Sequence, residues 1–165
     1  MTRAVLSIGS NLGDRLGHLR SAVAGFADVL VAVSPVYETA PWGVTDQDDF
    51  LNAVLIVSGA LGPWDWLRRG QELENASGRV RTLRWGPRTL DVDVVTVDGV
   101  TSDDPSLLLP HPGAFERATV LVPWLDVEPD AVLPGHGRVA DLVAGLDVGG
   151  VERRDDLVLE PHRFE

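Results

Sequence analysis

The sequence predicts an α+β protein in which helices cover one face of a mainly antiparallel sheet. Apolar and β-branched runs typical of strands alternate with segments in which apolar residues recur every three or four positions. The predicted elements are a strand at 3–9, a helix over 14–27, strands at 29–37 and 50–59, a helix from Pro63 to residue 77, and a strand at 90–99. This βαββαβ order is that of a ferredoxin-like sandwich, here followed by a C-terminal elaboration.

The helix starts and stops are also predicted from single residues. Asn11 is placed to cap the first helix, with Asp14 as its reciprocal partner in the first turn. Pro63 suits a helix N-terminus, and Gly78 is a candidate for the residue just past the C-terminus. In the elaboration, we expect helices near 117–126 and 138–144 and a short extended piece at 156–160.

Length and composition limit the classes of function. A chain of 165 residues suits one domain, taken here as 1–165. The formal net charge of −11 argues against nucleic acid or an anionic membrane as a partner, since both require basic patches. No cysteine is present, and all 14 basic residues are arginine, which excludes thiol and Schiff-base chemistry.

The N-terminal residues contain no apolar run of signal-peptide length, and no segment approaches the roughly 20 apolar residues of a membrane span. We therefore expect a cytoplasmic protein.

The most informative stretch is RWGPRTLDVDVV at 84–95, which places Asp91 and Asp93 two residues apart in a predicted strand. Residues at i and i+2 share a face roughly 6.6 Å apart, where two like charges repel. Such a pair can hold Mg²⁺ through oxygen, and the nearby arginines can bind phosphate oxygens with their guanidinium forks. These arginines are Arg79, Arg81, Arg84 and Arg88. The alternatives are a solvated strand face or mutual Asp–Arg salt bridges.

Other candidate residues carry weaker signals. Trp42, Phe50 and Asn52 surround a predicted loop and could stack on and hydrogen-bond a flat heteroaromatic ligand, although aromatic residues at such places more often pack in a core. His111, Arg117 and Glu74 have no distinctive spacing, and each taken alone is most simply a surface, turn or helix residue.

Taken together and in order, these motifs resemble the 6-hydroxymethyl-7,8-dihydropterin pyrophosphokinase family of folate biosynthesis. The resemblance covers roughly residues 4–135. It is carried by GSNLGDR, YETAPWG followed by DFLNA, RWGPRTLDVDVV, and LPHP followed by VLVPWLDVEP.

This resemblance implies an enzyme, EC 2.7.6.3, that transfers pyrophosphate from ATP to the pterin hydroxymethyl group and releases AMP. Two Mg²⁺ ions would be held by Asp91 and Asp93, and charge in the transfer would be stabilised by Arg79 and Arg88. The same two arginines would bind ATP together with Glu74, His111 and Arg117. The pterin pocket would be lined by Thr39, Ala40, Trp42, Phe50, Asn52 and Trp85. A monomer is expected, and the alternative is a non-catalytic nucleotide- or metal-binding module.

Two positions depart from the family pattern. Thr119 stands where a stacking phenylalanine is usual, and Ala40 replaces a common proline. Because a threonine has no aromatic face, one side of the pterin stack is affected.

Overall fold

The computed structural model describes residues 2–39, 49–77 and 89–159. Within these ranges the strands are β1 (Thr2–Ser10), β2 (Leu30–Val33), β3 (Tyr37–Thr39), β4 (Phe50–Gly59), β5 (Asp91–Val97), β6 (Ser102–Asp104), β7 (Leu107–Leu109), β8 (Val132–Leu133), β9 (Gly137–Arg138) and β10 (Val151–Arg153). The α-helices are α1 (Arg15–Gly25), α2 (Pro63–Ala76), α3 (Ala118–Val127) and α4 (Val139–Ala144).

The main sheet is antiparallel and has the order β10-β3-β4-β1-β5, with β2 also paired to β4. Strand β1 is hydrogen-bonded along both sides and lies inside the sheet, whereas β5 lies at one edge of the described strands. The predicted antiparallel sheet is therefore confirmed, as are its strands at 3–9, 50–59 and 90–99.

Helices cover both faces of this sheet, so the prediction of one covered face is wrong. Helices α1 and α2 pack against one face, here called the α1/α2 face, where Leu19 and Trp66 contact the core around Leu6 and Leu55. Helices α3 and α4 pack against the opposite face, the α3/α4 face. Its core contains Val5, Val54, Ile56, Val95, Leu121, Trp124 and Val139. The elaboration is thus a second layer that buries apolar strand residues.

The predicted strand at 29–37 is interrupted. At Ser34, the side-chain Oγ accepts a hydrogen bond of 2.8 Å from the Val54 amide, while the Ser34 amide donates to the Val54 carbonyl at 2.9 Å. Pro35 follows and has no amide hydrogen for a ladder. Two shorter strands, β2 and β3, result, and both pair with β4.

The N-terminus of α1 also differs from the prediction. Asp14, not Asn11, is the capping residue, and its Oδ1 accepts from the Gly17 amide at 3.0 Å. Gly13 directly before it has a φ of 70°, a left-handed conformation that glycine adopts without strain. The turn at Gly13 therefore moves the helix start past Asn11.

The C-terminal helices at 118–127 and 139–144 are confirmed. The extended piece predicted at 156–160 is wrong within the described residues, because the strand lies earlier, at Val151–Arg153, where it pairs with β3. Asp155 and Asp156 form a turn whose carboxylates accept hydrogen bonds from the side chains of Arg153 and Arg154. Helix α2 ends at Ala76 with Ser77 as its cap, and Gly78 lies outside the described residues.

In the described part of the chain, no helix has the length and apolar character needed to cross a bilayer.

Two fully buried tryptophans, one on each face, allow a matched stability test. The indole Nε1 of Trp66 has no hydrogen-bond partner among the described residues, whereas that of Trp124 donates to Glu128 at 3.0 Å. We expect both Trp66→Phe and Trp124→Phe to lower the free energy of unfolding. The loss should be about 1–3 kcal/mol smaller for Trp66→Phe, because only Trp124→Phe breaks a hydrogen bond. Urea unfolding measures both, with exposed Trp64→Phe as control. An equal or larger cost at Trp66 would contradict the assignment.

Candidate active site

The α3/α4 face changes from apolar to polar along the direction of β1. Val5 packs under α3, but the next residues on the same face of β1 are Ser7 and Gly9. Register places Val54 opposite Ser7 and Asn52 opposite Gly9, so β4 makes the same change. Polar groups therefore gather at the end of this face, beyond the apolar strand residues that α3 and α4 cover.

Asp91 and Asp93 lie at this polar end. Asp93 pairs with Ser7 and Asp91 with Gly9, which puts both carboxylates on the α3/α4 face, as the strand pattern predicts. The register of β5 against β1 is regular across this pair and shifts only between Val5 and Leu6. Asp91 is half-buried and Asp93 is exposed, so the pair is open to a ligand from solvent.

Asn52 and Thr39 form the other side of the polar end. The Asn52 amide donates from Nδ2 to Thr39 Oγ1 at 3.0 Å. A Cβ at Gly9 would lie only 2.9 Å from Asn52 Oδ1, so glycine is required for the amide to lie over β1. Phe50 also lies beside Gly9, since its Cδ1 would be 3.8 Å from that Cβ. The structure thus brings together Thr39, Phe50 and Asn52, with Gly9 between Asn52 and Asp91.

His111 adds to the open side of β5. Its amide donates to the Val95 carbonyl at 2.8 Å, and its Nδ1 accepts from the Gly113 amide at 3.2 Å. Burial lowers the pKa of His111, the negative charge of Asp93 opposes this shift, and the positive charge of Arg117 adds to it. Because Nδ1 is an acceptor, the neutral ring carries its proton on Nε2.

Arg117 lies against the same turn. A Cβ at Gly113 would come within 3.1 Å of the Arg117 guanidinium, so the absence of a side chain there allows the arginine to pack closely. Asp93 and Arg117 are both near enough to His111 to act on it electrostatically.

Glu74 belongs to α2 and approaches β5 from the α1/α2 face. It is 4% exposed, and its Oε2 accepts a hydrogen bond of 2.8 Å from the Val92 amide. Val92 stands between the two aspartates, and α2 approaches it closely at Gly70, where a Cβ would lie 2.8 Å from Val92 Cγ1. Glu74 therefore anchors the backbone of the aspartate pair to α2.

Several predicted site residues lie outside the described residues: Ala40, Trp42, Arg79, Arg81, Arg84, Trp85 and Arg88. Their roles remain predictions from the sequence.

The register identifies three residues that sequence reasoning did not select. Ser7 and Gly9 belong to the same face as the aspartates, and Tyr37 pairs with Asn52 in the next strand. Burial, together with the Asp126 carboxylate that accepts its hydroxyl hydrogen, raises the pKa of Tyr37 to about 12. The i+2 spacing from Val5 in β1 could have indicated Ser7, and Gly9 is also the first residue of the GSNLGDR motif.

The donors of the aspartate pair fit a magnesium ion. Two carboxylates on one strand face supply the hard oxygen ligands that Mg²⁺ prefers, and this ion usually completes its shell with water and phosphate oxygens. No group of three or more acidic or histidine side chains placed to hold a metal occurs within the described ranges. The pair therefore suits a metal that arrives with a phosphate ligand.

The fold and site define an α+β protein with an acidic pair and an amide–hydroxyl pair on one face of an antiparallel sheet. Residues 5–129 match the family model of 7,8-dihydro-6-hydroxymethylpterin-pyrophosphokinase. The chain belongs to this family.

Curated relatives agree with this assignment. The chain is 53% identical over 160 residues to the 2-amino-4-hydroxy-6-hydroxymethyldihydropteridine pyrophosphokinase of Mycobacterium bovis, covering 89% of this chain and 85% of that one. It is 45% identical over 157 residues to the protein of the same name from Methylorubrum extorquens, covering 93% and 99% respectively.

Solved structures share the fold. A structure titled as HPPK-DHPS in complex with substrates superposes with a TM-score of 0.67 at 12% identity, covering 87% of this chain and 43% of that one. A Plasmodium falciparum HPPK-DHPS with pterin and p-hydroxybenzoate has a TM-score of 0.66 at 14% identity, covering 87% and 42%. This chain thus spans less than half of those proteins.

Glu74 provides a test of how the aspartate pair is supported. We expect Glu74→Ala to lower the unfolding free energy by about 1–3 kcal/mol, because the buried Val92 amide loses its acceptor. Glu74→Gln retains an acceptor oxygen and should lose less. Exposed Glu72→Ala on the same helix is the control in urea unfolding. Equal losses at positions 72 and 74 would contradict an anchoring role.

The lowered pKa of His111 predicts a pH dependence of stability. As the pH falls, the unfolded chain binds the histidine proton first, so the contribution is complete above the unfolded pKa of 6.5 and declines below it. We expect the wild-type chain to lose more unfolding free energy than His111→Gln between about pH 7.5 and about pH 5.5. Parallel losses in urea unfolding at the two pH values would show that His111 does not contribute.

Proposed function

We propose that this protein transfers pyrophosphate from ATP to the hydroxymethyl oxygen of 6-hydroxymethyl-7,8-dihydropterin, giving AMP and the pterin diphosphate in folate biosynthesis. The single observation that carries the proposal is the placement of Asp91 and Asn52 on one face with Gly9 between them. The two residues are two strand spacings apart, about 10 Å, which suits neighbouring phosphate and heteroaromatic subsites. Family membership and the relatives' names support the same reaction.

The aspartate pair would hold the metal. We assign two Mg²⁺ ions to Asp91 and Asp93, which would neutralise phosphate charge and lower the pKa of the pterin hydroxyl. Phosphoryl-type transfer requires positioning and charge stabilisation more than a covalent nucleophile, which agrees with a chain that lacks cysteine and lysine.

The remaining polar groups would bind ATP. His111 presents Nε2–H as a donor because Nδ1 accepts from Gly113, and the Arg117 guanidinium lies beside the same turn. Both suit phosphate oxygens, which accept hydrogen bonds. Arg79 and Arg88 are proposed to stabilise charge in the transfer. Glu74 is proposed to contribute to the ATP site through its hold on Val92.

The pterin would bind at the other side of Gly9. Asn52 and Thr39 offer an amide and a hydroxyl, which suit the edge of a pterin ring, and Phe50 offers an aromatic face. Ala40, Trp42 and Trp85 are proposed as further pterin contacts on the family pattern alone.

Other features of the proposal concern the whole chain. The sheet order and the placement of α1 and α2 on one face support a ferredoxin-like core, to which α3 and α4 are added. The single domain, the monomeric state and the cytoplasmic location stay predictions from the sequence.

The nucleotide product tests the function. The protein is incubated with Mg²⁺, ATP and 6-hydroxymethyl-7,8-dihydropterin, and the nucleotides are separated. AMP and pterin diphosphate in equal amounts are expected. ADP would indicate a conventional kinase, and unchanged ATP would favour the non-catalytic binding module.

The aspartates test the metal assignment. We expect Asp91→Asn and Asp93→Asn each to lower turnover at saturating Mg²⁺ by at least about 100-fold, because charge stabilisation in the transfer is lost. Stability should hold or rise, since repulsion within the pair is relieved. Asp98→Asn, in the exposed turn at the far end of β5, is the control for both measurements. Near-normal turnover in both site variants would refute the assignment.

A further inference from the structure

Arg15, the last residue of the GSNLGDR motif, connects two segments that are distant in sequence. Its Nη1 donates to Glu38 Oε2 at 2.7 Å and to the Asp49 carbonyl at 2.8 Å. Glu38 directly precedes Thr39, the last residue of β3, and Asp49 directly precedes Phe50, the first residue of β4. One guanidinium therefore binds beside both strand ends.

These strand ends meet at the last pair of the β3–β4 ladder, Thr39 with Phe50. The end of a ladder opens more easily than its middle, because fewer neighbouring bonds hold it. Asn52 lies two residues further along β4 and donates to Thr39, so the geometry of the amide depends on this pair. The contacts of Arg15 with Glu38 and Asp49, here called the tie, join the two strands at this end of the ladder. The tie thus acts directly on Thr39, Phe50 and Asn52.

Glu38 is held from a second side by the C-terminal segment. Its Oε1 accepts from Arg154 Nη1 at 2.6 Å, and Arg154 is in turn paired with Asp156 at 2.8 Å. The Glu38 side chain is 17% exposed, and Arg15 and Arg154 together hold its pKa below the ordinary value. The carboxylate thus stays ionised and able to fix both arginines at neutral pH.

The tie lies on the face opposite to the candidate site. Glu38 alternates with Tyr37 and Thr39 and pairs with Leu51, a core residue of the α1/α2 face. Arg15 begins α1, which packs on that same face. Arg15 therefore supports the strand ends from the α1/α2 face. It does not need to contact a ligand bound on the α3/α4 face.

We propose that Arg15 is a positioning residue for the pterin side of the site, which it acts on by tying the end of β3 to the start of β4. This inference rests on the proposed function, because it takes Thr39, Phe50 and Asn52 as pterin-binding residues. The aspartate pair lies on β5, on the other side of β1, so ATP binding depends much less on the tie.

The test is steady-state kinetics with each substrate varied in turn. We expect Arg15→Ala to raise the KM for 6-hydroxymethyl-7,8-dihydropterin about tenfold, while the KM for ATP changes less than about twofold. Arg15→Lys keeps the charge, but its ammonium lies one bond short of the Nη1 position that makes both contacts, so it should give an intermediate increase. Binding of the pterin, measured by calorimetry with Mg²⁺ and a non-hydrolysable ATP analogue, should weaken in the same order.

Two other arginines are matched controls. Arg20 lies on the same helix and binds the Val158 carbonyl at 2.9 Å, so Arg20→Ala should leave both KM values unchanged. Arg154→Ala breaks the second contact of Glu38 but leaves the bond from Arg15 to Asp49, and its effect on the pterin KM should be smaller than that of Arg15→Ala.

The outcomes separate this inference from the function on which it rests. Wild-type AMP formation is measured first, and its absence overturns the proposed function. An active wild type with an unchanged pterin KM in Arg15→Ala, or with equal increases in both KM values, overturns the role of Arg15 alone. If Arg15→Ala does not fold, Arg15→Lys and Glu38→Gln serve in its place, and an unchanged pterin KM in both overturns the inference.

Discussion

The double pairing of β1 is the constraint on which the site depends. This strand binds β4 along one side and β5 along the other, over nearly its full length. A shift of one residue in either register would move every side chain of the neighbouring strand to the opposite face. Each neighbouring strand has adjacent apolar residues buried in the cores of opposite faces, so neither strand can slip: these are Val54 and Leu55 in β4, and Val94 and Val95 in β5. The positions of Ser7 and Gly9 are fixed as a result.

The same constraint explains how an acidic pair can be placed next to an amide without contact between them. Gly9 occupies the position between Asn52 and Asp91, and it leaves room that a side chain would fill. A larger residue there would displace the Asn52 amide, whose oxygen lies 2.9 Å from the Cβ position. The polar end of this face is thus shaped by an absent side chain as much as by the groups that are present.

Support for the site comes from the opposite face of the sheet on both sides of β1. At β5, the Glu74 carboxylate binds the amide between the two aspartates. At β3 and β4, the Arg15 guanidinium binds beside the strand ends. The first contact joins α2 to the backbone of β5, and the second joins α1 to the Glu38 side chain and the Asp49 backbone. The helices of the α1/α2 face therefore hold the strands that carry the site on the opposite face.

The sequence alone determined the elements whose signals are local. The β-branched run at 50–59, the apolar spacing of α1, and the Asp-x-Asp pattern at 91–93 each depend on neighbouring residues, and each element is present in the structure. The site motifs also lie in order along the chain, which is why a family resemblance could be recognised before any contact was known.

The tertiary structure decided what depends on distant residues. Register between β1, β4 and β5 brought Gly9 and Ser7 beside the candidate residues, and no local pattern contains that information. The strand predicted at 29–37 is interrupted at Ser34, whose side chain binds the amide of Val54, twenty residues away. Helices α3 and α4 cover a face that the βαββαβ pattern leaves open. The partners of Arg15 also depend on tertiary structure, because the pairing of β3 with β4 brings Glu38 and Asp49 close to each other. Hydrophobic periodicity is a local property of the chain, whereas register, burial and long-range ion pairs arise only when separate segments pack together.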